Sequence, residues 1–324
     1  MKYGLTLAAL LAATSAQADT LTVYAPDYFA SEWGPGPAIK AAFEEECDCD
    51  IEYITGDLLP RLMLEGERTK ADIAIGFNSD VTKKARETGL FAPHGQDLSP
   101  LTLPIDWQDD TFLPFNWSYT AFIYDNTKIT NPPTSFHELV NADEDWTIAI
   151  QDPRTSVSGL ALVLWGQEVF GEEAPDAWAK LAPKVTTVTK GWSEAYGLFT
   201  DGEVDMVLSY TTSPAYHIMA EEDDTKSAAL FDEGHYFMVE LAAKLAGTDQ
   251  PELADEFMAF VLSPTFQNII PTANWSYPAA LPKDQWPDVM ANLNYPEKAI
   301  FLSEDEAAAL RDEAIAEWRD AFSQ

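Results

Sequence analysis

The sequence alternates strand-like and helix-like stretches from about residue 20 onward, and this alternation constrains the fold more than any other feature. Residues 21–24 predict the first strand, and the almost entirely apolar residues 71–76 predict a strand covered on both faces. Between them, Ile39 and Phe43 are spaced by four within a helix predicted over residues 38–46. Such alternation is typical of an α/β fold with mainly parallel sheets.

Two later stretches predict strands that cross between two lobes. Residues 116–125 leave the first lobe and residues 234–241 return to it. We therefore expect lobe 1 to comprise residues 19–117 and 237–280 and lobe 2 to comprise residues 118–236, with residues 281–324 assigned to neither. Further strands are expected at 51–54, 146–150, 185–189 and 205–209, and helices at 58–65, 79–88, 193–199, 251–262 and 303–322. Two crossings imply a cleft between the lobes, where small ligands bind.

Residues 1–18 have the pattern of a cleaved secretory signal. Lys2 supplies the positive start, residues 5–13 form a short apolar stretch, and Ala16-Gln17-Ala18 is a small-residue cleavage site. The apolar stretch is far shorter than the roughly 20 residues that span a bilayer. We expect a mature chain beginning at Asp19, exported to the periplasm without a lipid anchor or membrane span.

The charge balance excludes some classes of partner. The chain has 54 acidic and 19 basic residues and a formal net charge of −35. Nucleic-acid binding requires a clustered basic face, which the scattered Lys and Arg residues do not supply. Two explanations of the acidity stay open: adaptation to a saline habitat, or steering of a cationic ligand toward the protein.

The two cysteines, Cys47 and Cys49, are separated by one residue. Export permits a disulfide, which would close a small, strained ring and contribute little stability. A disulfide and a pair of free thiols are both compatible with this spacing, and the disulfide is the prediction. A zinc site is disfavoured because no further cysteine or histidine lies nearby in the sequence.

One segment resembles a hydrolase motif without completing it. Gly191-Trp-Ser-Glu-Ala195 places Ser193 between a strand and a helix, and Asp205 and His217 follow in the order of a catalytic acid and base. The last residue of the motif is Ala instead of Gly, and Ser193 would equally serve as a helix cap. No Walker loop, GxGxxG or HExxH occurs. On these motifs an enzyme is possible but unmotivated. We expect no resident metal or cofactor, and we keep a serine hydrolase that uses Ser193 as the least favoured alternative.

Three predicted loops follow the carboxyl ends of strands, where open α/β sheets place their ligands. Residues 151–159 offer Ser156 and Ser158 at a helix start, which favours an anion. Residues 190–194 and 209–216 carry aromatic side chains, although aromatic residues in a core and ordinary helix caps would give the same pattern. With Trp33 and Trp275, these loops predict a cationic or neutral heteroaromatic ligand that can bear a phosphate.

Long segments of the chain resemble the periplasmic thiamine-binding proteins of ABC importers. The most specific are residues 33–37, 151–156, 187–199 and 208–218, together with Cys47-Asp-Cys49 and residues 271–275. The resemblance covers residues 21–318. It implies a class II periplasmic binding protein fold, mostly parallel with two crossover strands, and no catalysis. It also implies capture of thiamine, thiamine monophosphate or thiamine diphosphate, with a membrane permease and its ATPase as partners.

The resemblance also implies which residues form the ligand pocket. They are Trp33, Asp57, Ser156, Trp192, Tyr210, Thr211, Thr212, Ser213, Pro214, Tyr216 and Trp275. The aromatic side chains would stack on the aminopyrimidine and thiazolium rings. Ser156 and residues 211–213 would receive hydroxyl or phosphate oxygens.

The chain departs from the pattern of these proteins at three places. The loop over residues 53–62 is short and carries Gly56-Asp57 in the reverse of the usual order. Val157 replaces a hydroxyl-bearing residue near the expected phosphate, and Pro26 replaces an aromatic residue on one wall. Another solute, iron(III) or a polyamine, is the alternative within the same class of protein.

Overall fold

The computed structural model describes residues 19–323, so the predicted signal sequence, residues 1–18, lies outside the described residues. The strands are β1 Asp19–Ala25, β2 Cys49–Thr55, β3 Ile73–Asn78, β4 Phe91–Ala92, β5 Phe112–Asp125, β6 Ile148–Gln151, β7 Val185–Thr189, β8 Met206–Tyr210, β9 Lys226–Ala229, β10 His235–Leu245, β11 Tyr277–Pro278 and β12 Ala299–Ile300. The helices are α1 Asp27–Ala30, α2 Gly36–Glu46, α3 Leu58–Glu65, α4 Thr82–Glu87, α5 Phe136–Asn141, α6 Val157–Phe170, α7 Ala174–Leu181, α8 Trp192–Thr200, α9 Ser213–Ala220, α10 Pro251–Val261, α11 Pro264–Ile269, α12 Asp288–Ala291 and α13 Glu304–Phe322.

The sheet consists of two parallel halves joined by two antiparallel strands. Its order is β2-β1-β3-β10-β5-β8-β6-β7. β1 pairs in parallel with β2 and β3, and β6 pairs in parallel with β7 and β8. The joining strands β10 and β5 pair antiparallel with each other and with β3 and β8 respectively. The predicted α/β class, with two lobes and two crossover strands, is confirmed.

Strand β5 is longer than the sequence pattern predicted. It begins at Phe112, four residues before the expected start at Asn116, and runs for 14 residues that are nearly all buried. The added residues include Pro114, which has no N–H to donate to a sheet ladder. The structure accommodates it where the register on β10 shifts between Glu240 and Leu241, so the missing N–H breaks no regular pairing.

Each half of the sheet is covered by apolar side chains. Phe29, Phe115 and Phe257 belong to one cluster on the first half, and Phe112 and Tyr277 belong to another. On the second half, the large aromatic cluster contains the fully buried side chains Phe122, Phe136, Trp165, Trp178 and Tyr236. This packing fixes the positions of the loops that leave the carboxyl ends of the strands.

The C-terminal helix α13 contacts elements of both halves. It begins with a capping box in which Ser303 and Glu306 satisfy each other's backbone N–H groups. It packs on α6 and α7 as well as on α4, and Lys83 of α4 pairs with Asp305 at 2.6 Å. Residues 281–323 therefore touch both predicted lobes. The lobe boundaries at 117/118 and 236/237 stay predictions.

Several helices begin one or two residues away from the predicted start. Gly191, not Ser193, is the N-cap of α8, and the Glu194 carboxylate accepts from the Gly191 N–H. Thr212 is the N-cap of α9, so Ser213 is its first residue instead of its cap. The hydroxyl of Ser213 instead makes a 2.8 Å hydrogen bond with that of Ser209. The helix predicted over residues 79–88 is a 3₁₀ turn at Ser79–Val81 followed by α4.

Cys47 and Cys49 are joined in a disulfide, the state predicted from the sequence. Among residues 19–323, no helix combines the length and the apolar character that a bilayer crossing requires.

Two ionisable side chains are buried where the joining strand β10 begins. The Asp80 carboxylate accepts from the Tyr236 hydroxyl and the Asn78 amide, both at 2.6 Å. Burial raises the pKa of Asp80 to about 6 from 3.8. Burial also lowers the pKa of His235 to about 4 from 6.5, and its Nε2 accepts from the Phe231 N–H at 2.7 Å.

The two groups affect stability in opposite directions over one pH range. As the pH rises from about 4 to about 6, the Asp80 carboxyl ionises more readily in the unfolded chain, so its contribution to the free energy of unfolding falls. Between about pH 4 and pH 6.5, His235 is largely protonated in the unfolded chain and neutral in the folded protein. The contribution of His235 to the free energy of unfolding therefore rises with pH over this range.

We expect the substitution Asp80→Asn to expose the contribution of His235. The free energy of unfolding should then rise between pH 4 and pH 6 by about 2 kcal/mol more than it does in the parent protein. Urea denaturation at pH 4, 5 and 6 measures this slope. The substitution Asp176→Asn, at an exposed carboxylate of α7, is the matched control. If the free energy of unfolding of the Asp80 variant depended on pH as it does in the parent, the raised pKa of Asp80 would be contradicted.

Candidate functional site

A cavity of about 1550 Å³ lies between the two halves of the molecule. The segments that follow β1, β2, β6, β7 and β8 all contribute to its wall. The last three of these segments contain the three loops that the sequence predicted at strand ends. Its volume exceeds the roughly 300–1,000 Å³ of ordinary ligand pockets. The excess arises because the cavity also extends to α4 and the first turns of α13.

Most of the predicted pocket residues line this cavity. They are Trp33, Asp57, Ser156, Trp192, Tyr210, Ser213, Tyr216 and Trp275. The Trp33 side chain is 79% exposed, and exposed Asp57 precedes α3 without a hydrogen bond that caps the helix. The structure thus brings together residues from distant parts of the chain. Their role as ligand contacts stays a prediction.

Thr211, Thr212 and Pro214 are not among the residues that line this cavity, and their role as ligand contacts also stays a prediction. All three are buried. The Thr211 N–H donates to the Tyr119 carbonyl at 2.9 Å, and the Thr212 hydroxyl bonds that of Ser118 at 3.1 Å. The turn between β8 and α9 is therefore fastened to β5, which directs these side chains into the protein. They position the wall and do not form it.

Two aromatic pairs form parts of the wall. Trp192 stacks on Tyr196 with ring centroids 4.6 Å apart and an interplanar angle of 20°, and its indole N–H donates to the Ser209 hydroxyl at 2.8 Å. Tyr216 meets Trp275 edge-on at 5.2 Å. Hydrogen bonding and stacking hold these rings in place before any ligand arrives, which reduces the ordering cost of binding.

Ser158 lines the cavity beside Tyr210, and its hydroxyl bonds the Tyr210 hydroxyl at 2.7 Å. Its predicted role toward an anion stays a prediction. Burial, followed by the nearby Glu240 carboxylate, raises the pKa of Tyr210. Tyr210 is therefore a neutral phenol at neutral pH.

Glu240, on the joining strand β10, is a cavity residue that the sequence analysis missed. It lines the cavity, and its carboxylate accepts from Tyr28 Oη, from Asn116 Nδ2 at 2.6 Å and from Asn274 Nδ2 at 3.2 Å. Burial raises the pKa of Glu240, and these three donors act in the opposite direction. Within residues 19–323, no ion pair includes it. The available signal was a lone glutamate in an otherwise apolar predicted strand.

Backbone geometry brings two other segments of the wall close together. Gly76 in β3 has φ +99°, and a Cβ atom there would lie 2.6 Å from Cδ of Pro26. Only glycine therefore allows Pro26 to pack against β3. Trp275 has φ +52°, a left-handed conformation that is uncommon for an aromatic residue and occurs most often at functional sites.

The proposed hydrolase residues are not assembled into a triad. Ser193 is exposed on α8, Asp205 accepts from the N–H and hydroxyl of Thr147, and His217 bonds Tyr196 and Glu221. Each partner that a nucleophile would need is engaged elsewhere.

One group of side chains has the composition of a metal site. His217, Glu221 and Asp223 bring their ligand atoms within 4.8 Å of one another. Both ring nitrogens of His217 are hydrogen-bonded, and Asp223 pairs with Lys226 at 3.0 Å. Hydrogen bonds within the protein account for the group, so we assign it no ion.

The polar end of the cavity is formed by the starts of α6 and α8. Ser156 is the N-cap of the 14-residue helix α6, but its hydroxyl makes no cap bond. Lys190 lines the same end, while Arg154 pairs with Asp152 at 2.5 Å. Free N–H groups at a helix start and a nearby ammonium group favour an anionic group on a ligand.

A two-lobed fold with a cavity between the lobes, lined by rigid aromatic rings and by the half-buried carboxylate of Glu240, defines a solute-binding protein. The chain belongs to the family of bacterial extracellular solute-binding proteins, whose model matches residues 68–309. It is 50% identical over 308 residues to the thiamine-binding periplasmic protein of Escherichia coli strain K12, with 94% of each chain covered. The resemblance seen in the sequence is confirmed.

Solved structures agree with this assignment. The fold matches a periplasmic thiamin binding protein with a TM-score of 0.93 and 49% identity, covering 98% of this chain and 100% of that one. It also matches iron-bound HitA from Pseudomonas aeruginosa with a TM-score of 0.74 and 23% identity, covering 94% and 99% of the two chains. The second likeness shows the fold alone.

Two adjacent threonines provide a matched test of the cavity wall. We expect Thr212→Val to lower the free energy of unfolding by about 1 kcal/mol, because the buried Ser118 hydroxyl loses its partner. Thr211→Val should be neutral or stabilising, because the Thr211 hydroxyl is buried without a partner among residues 19–323. Urea denaturation of both variants measures the difference. Equal losses of unfolding free energy in the two variants would contradict the hydrogen bonding described for Thr211 and Thr212.

Proposed function

We propose that this protein captures thiamine, and its monophosphate and diphosphate, in the cavity between its lobes. The observation that carries the proposal is Glu240, a half-buried carboxylate on the cavity wall that no ion pair of residues 19–323 neutralises. The names of relatives that are about half identical to this chain support the choice of thiamine among cationic solutes.

Charge complementarity favours a ligand with a permanent positive charge. The quaternary nitrogen of the thiazolium ring carries no titratable proton, so thiamine cannot lose its charge by deprotonation on entering the cavity. Burying a carboxylate or a cation alone is costly, whereas burying both together recovers part of the cost of each. Tyr28, Asn116 and Asn274 hold the Glu240 carboxylate in one orientation, so little reordering accompanies binding.

The aromatic walls suit the two flat rings of thiamine. Trp192 and the Tyr216–Trp275 pair present large ring surfaces to the cavity. A cation over such a ring gains about 0.5 to 2 kcal/mol, with the larger values in desolvated sites. A polyamine has no flat ring with which to use these surfaces.

The polar end of the cavity extends the proposal to phosphorylated thiamine. The Ser156 hydroxyl, the start of α6 and Lys190 can receive phosphate oxygens there. Val157, the first residue of α6, supplies no hydroxyl, which favours thiamine over its phosphates.

Iron(III) is disfavoured by the protonation of the nearby phenols. Tyr28 and Tyr210 are the tyrosines whose titration Glu240 influences, and burial raises the pKa of both. A metal ligand must bind in its deprotonated form, and these environments oppose ionisation. The likeness to an iron-bound protein at 23% identity concerns the fold.

Capture would be coupled to transport through the shape of the protein. Hinge closure of two lobes around a ligand is a general mode of periplasmic binding proteins. The ligand stabilises the closed form because residues of both lobes contact it only there. A membrane permease and its ATPase would then receive thiamine from the closed form. The periplasm is the expected location because the relatives are periplasmic and residues 1–18 have the pattern of an export signal.

We expect Glu240→Gln to weaken thiamine binding about 10- to 100-fold, because the substitution removes the charge and keeps the shape of the side chain. Isothermal calorimetry of the mature protein with thiamine measures this effect. The uncharged pyrimidine half, 4-amino-5-hydroxymethyl-2-methylpyrimidine, should bind both proteins with similar, weaker affinity.

The exposed Glu256 of α10, which does not line the cavity, provides the matched control variant Glu256→Gln. Its affinity for thiamine should equal that of the parent. Absence of thiamine binding by the parent protein would refute the proposed function. Binding that Glu240→Gln leaves unchanged would refute the assigned role of this carboxylate alone.

A further inference from the structure

A chain of hydrogen bonds lies behind the aromatic wall of the cavity, with His217 at its centre. The imidazole is 1% exposed and does not itself line the cavity. Its Nε2 bonds the Tyr196 hydroxyl at 2.9 Å, and its Nδ1 bonds Oε2 of Glu221 at 2.6 Å. The other oxygen of Glu221 accepts from the Tyr216 hydroxyl at 2.8 Å. One histidine and one carboxylate thus connect two tyrosines of the wall.

The directions of these hydrogen bonds follow from their partners. An ionised carboxylate can only accept, so Glu221 accepts from His217 Nδ1–H and from the Tyr216 O–H. A neutral imidazole that donates through Nδ1 has a lone pair at Nε2, which accepts from Tyr196. Each group therefore has one role within the chain, and the Glu221 side chain, which is 41% exposed, also meets solvent.

Both ends of the chain terminate in the aromatic pairs of the cavity. Tyr196 stacks on Trp192, and His217 itself stacks on Tyr196 with an interplanar angle of 27°. Tyr216 meets Trp275 edge-on. Trp192 and Tyr216 lie on different helices, α8 and α9, and the chain through His217 fixes one relative to the other.

We propose that His217 is a positioning residue for the ligand: through Tyr196 and Glu221 it sets the spacing of the two aromatic surfaces between which the ligand's rings bind. This proposal rests on the function proposed above for the same cavity. His217 does not touch the ligand. Its contribution is preorganisation, because rings that are already held lose less freedom when the ligand enters.

The proposal predicts a specific pattern of affinities. His217→Phe keeps an aromatic ring against Tyr196 but removes both hydrogen bonds, and we expect about tenfold weaker thiamine binding. Tyr196→Phe removes only the hydroxyl at one end and should weaken binding less. The double variant should bind no more weakly than His217→Phe, because both substitutions break one chain. Calorimetry gives the affinities, and circular dichroism melting confirms that each variant is folded.

A smaller substitution tests the same chain if His217→Phe does not fold. In His217→Gln the amide oxygen takes the place of Nε2 and can accept from Tyr196, so binding should recover to within about threefold of the parent. Glu221→Gln should weaken binding, whereas Glu222→Gln, at an exposed residue outside the chain of hydrogen bonds, should not.

A ligand-free measurement separates this proposal from the proposed function. Long-range ¹H–¹⁵N spectra of the histidine rings should show His217 protonated at Nδ1, with a signal that shifts in Tyr196→Phe and Glu221→Gln. Unchanged signals in these variants would overturn the hydrogen-bonded chain whether or not thiamine binds. Parent-like affinity of folded His217→Phe would overturn the positioning role and leave thiamine capture intact. A parent protein that fails to bind thiamine refutes both the proposed function and this role.

Discussion

The antiparallel pairing of β5 with β10 is the interaction on which the rest of the structure depends. The first part of β5 pairs with β10, and its residues from Thr120 to Tyr124 pair with β8 in the other half of the sheet. The parallel strands β1 to β3 and β6 to β8 lie on either side of the β5–β10 pair. Because loops at the carboxyl ends of parallel strands meet at a sheet edge, the loops of both halves face a common cavity.

The β5–β10 pair also carries Glu240, the carboxylate on which the proposed function rests. Glu240 lies on β10 where the pairing with β5 is irregular, beside Asn116 of the opposite strand. A buried carboxylate in a regular, fully apolar sheet would be costly to desolvate. Three hydrogen-bond donors reduce that cost without neutralising the charge, so the carboxylate remains available to a cation. Binding and architecture therefore share the same two strands.

Part of the site was predictable from the sequence because strand ends are local features. Trp192 follows strand β7 and Tyr210 ends strand β8, and the structure places both on the cavity wall. The orientation of Thr211 and Thr212 was not predictable, because it depends on which part of the protein the turn is hydrogen-bonded to. Here the turn is bonded to β5, more than 90 residues away in the sequence. Glu240 was missed because an acidic residue in a strand indicates an edge as readily as a buried site.

The sequence by itself determined the alternation of strands and helices, the two crossings and the aromatic loops, because each of these depends on residues close together in the chain. Tertiary structure decided which carboxylate lies on the cavity wall and which hydroxyls face the cavity. It also decided that Ser158 bonds Tyr210 and that His217 bonds Tyr196. Burial and hydrogen-bond partners come from elements distant in sequence, and the free-energy cost of an unpaired polar group selects the final orientation.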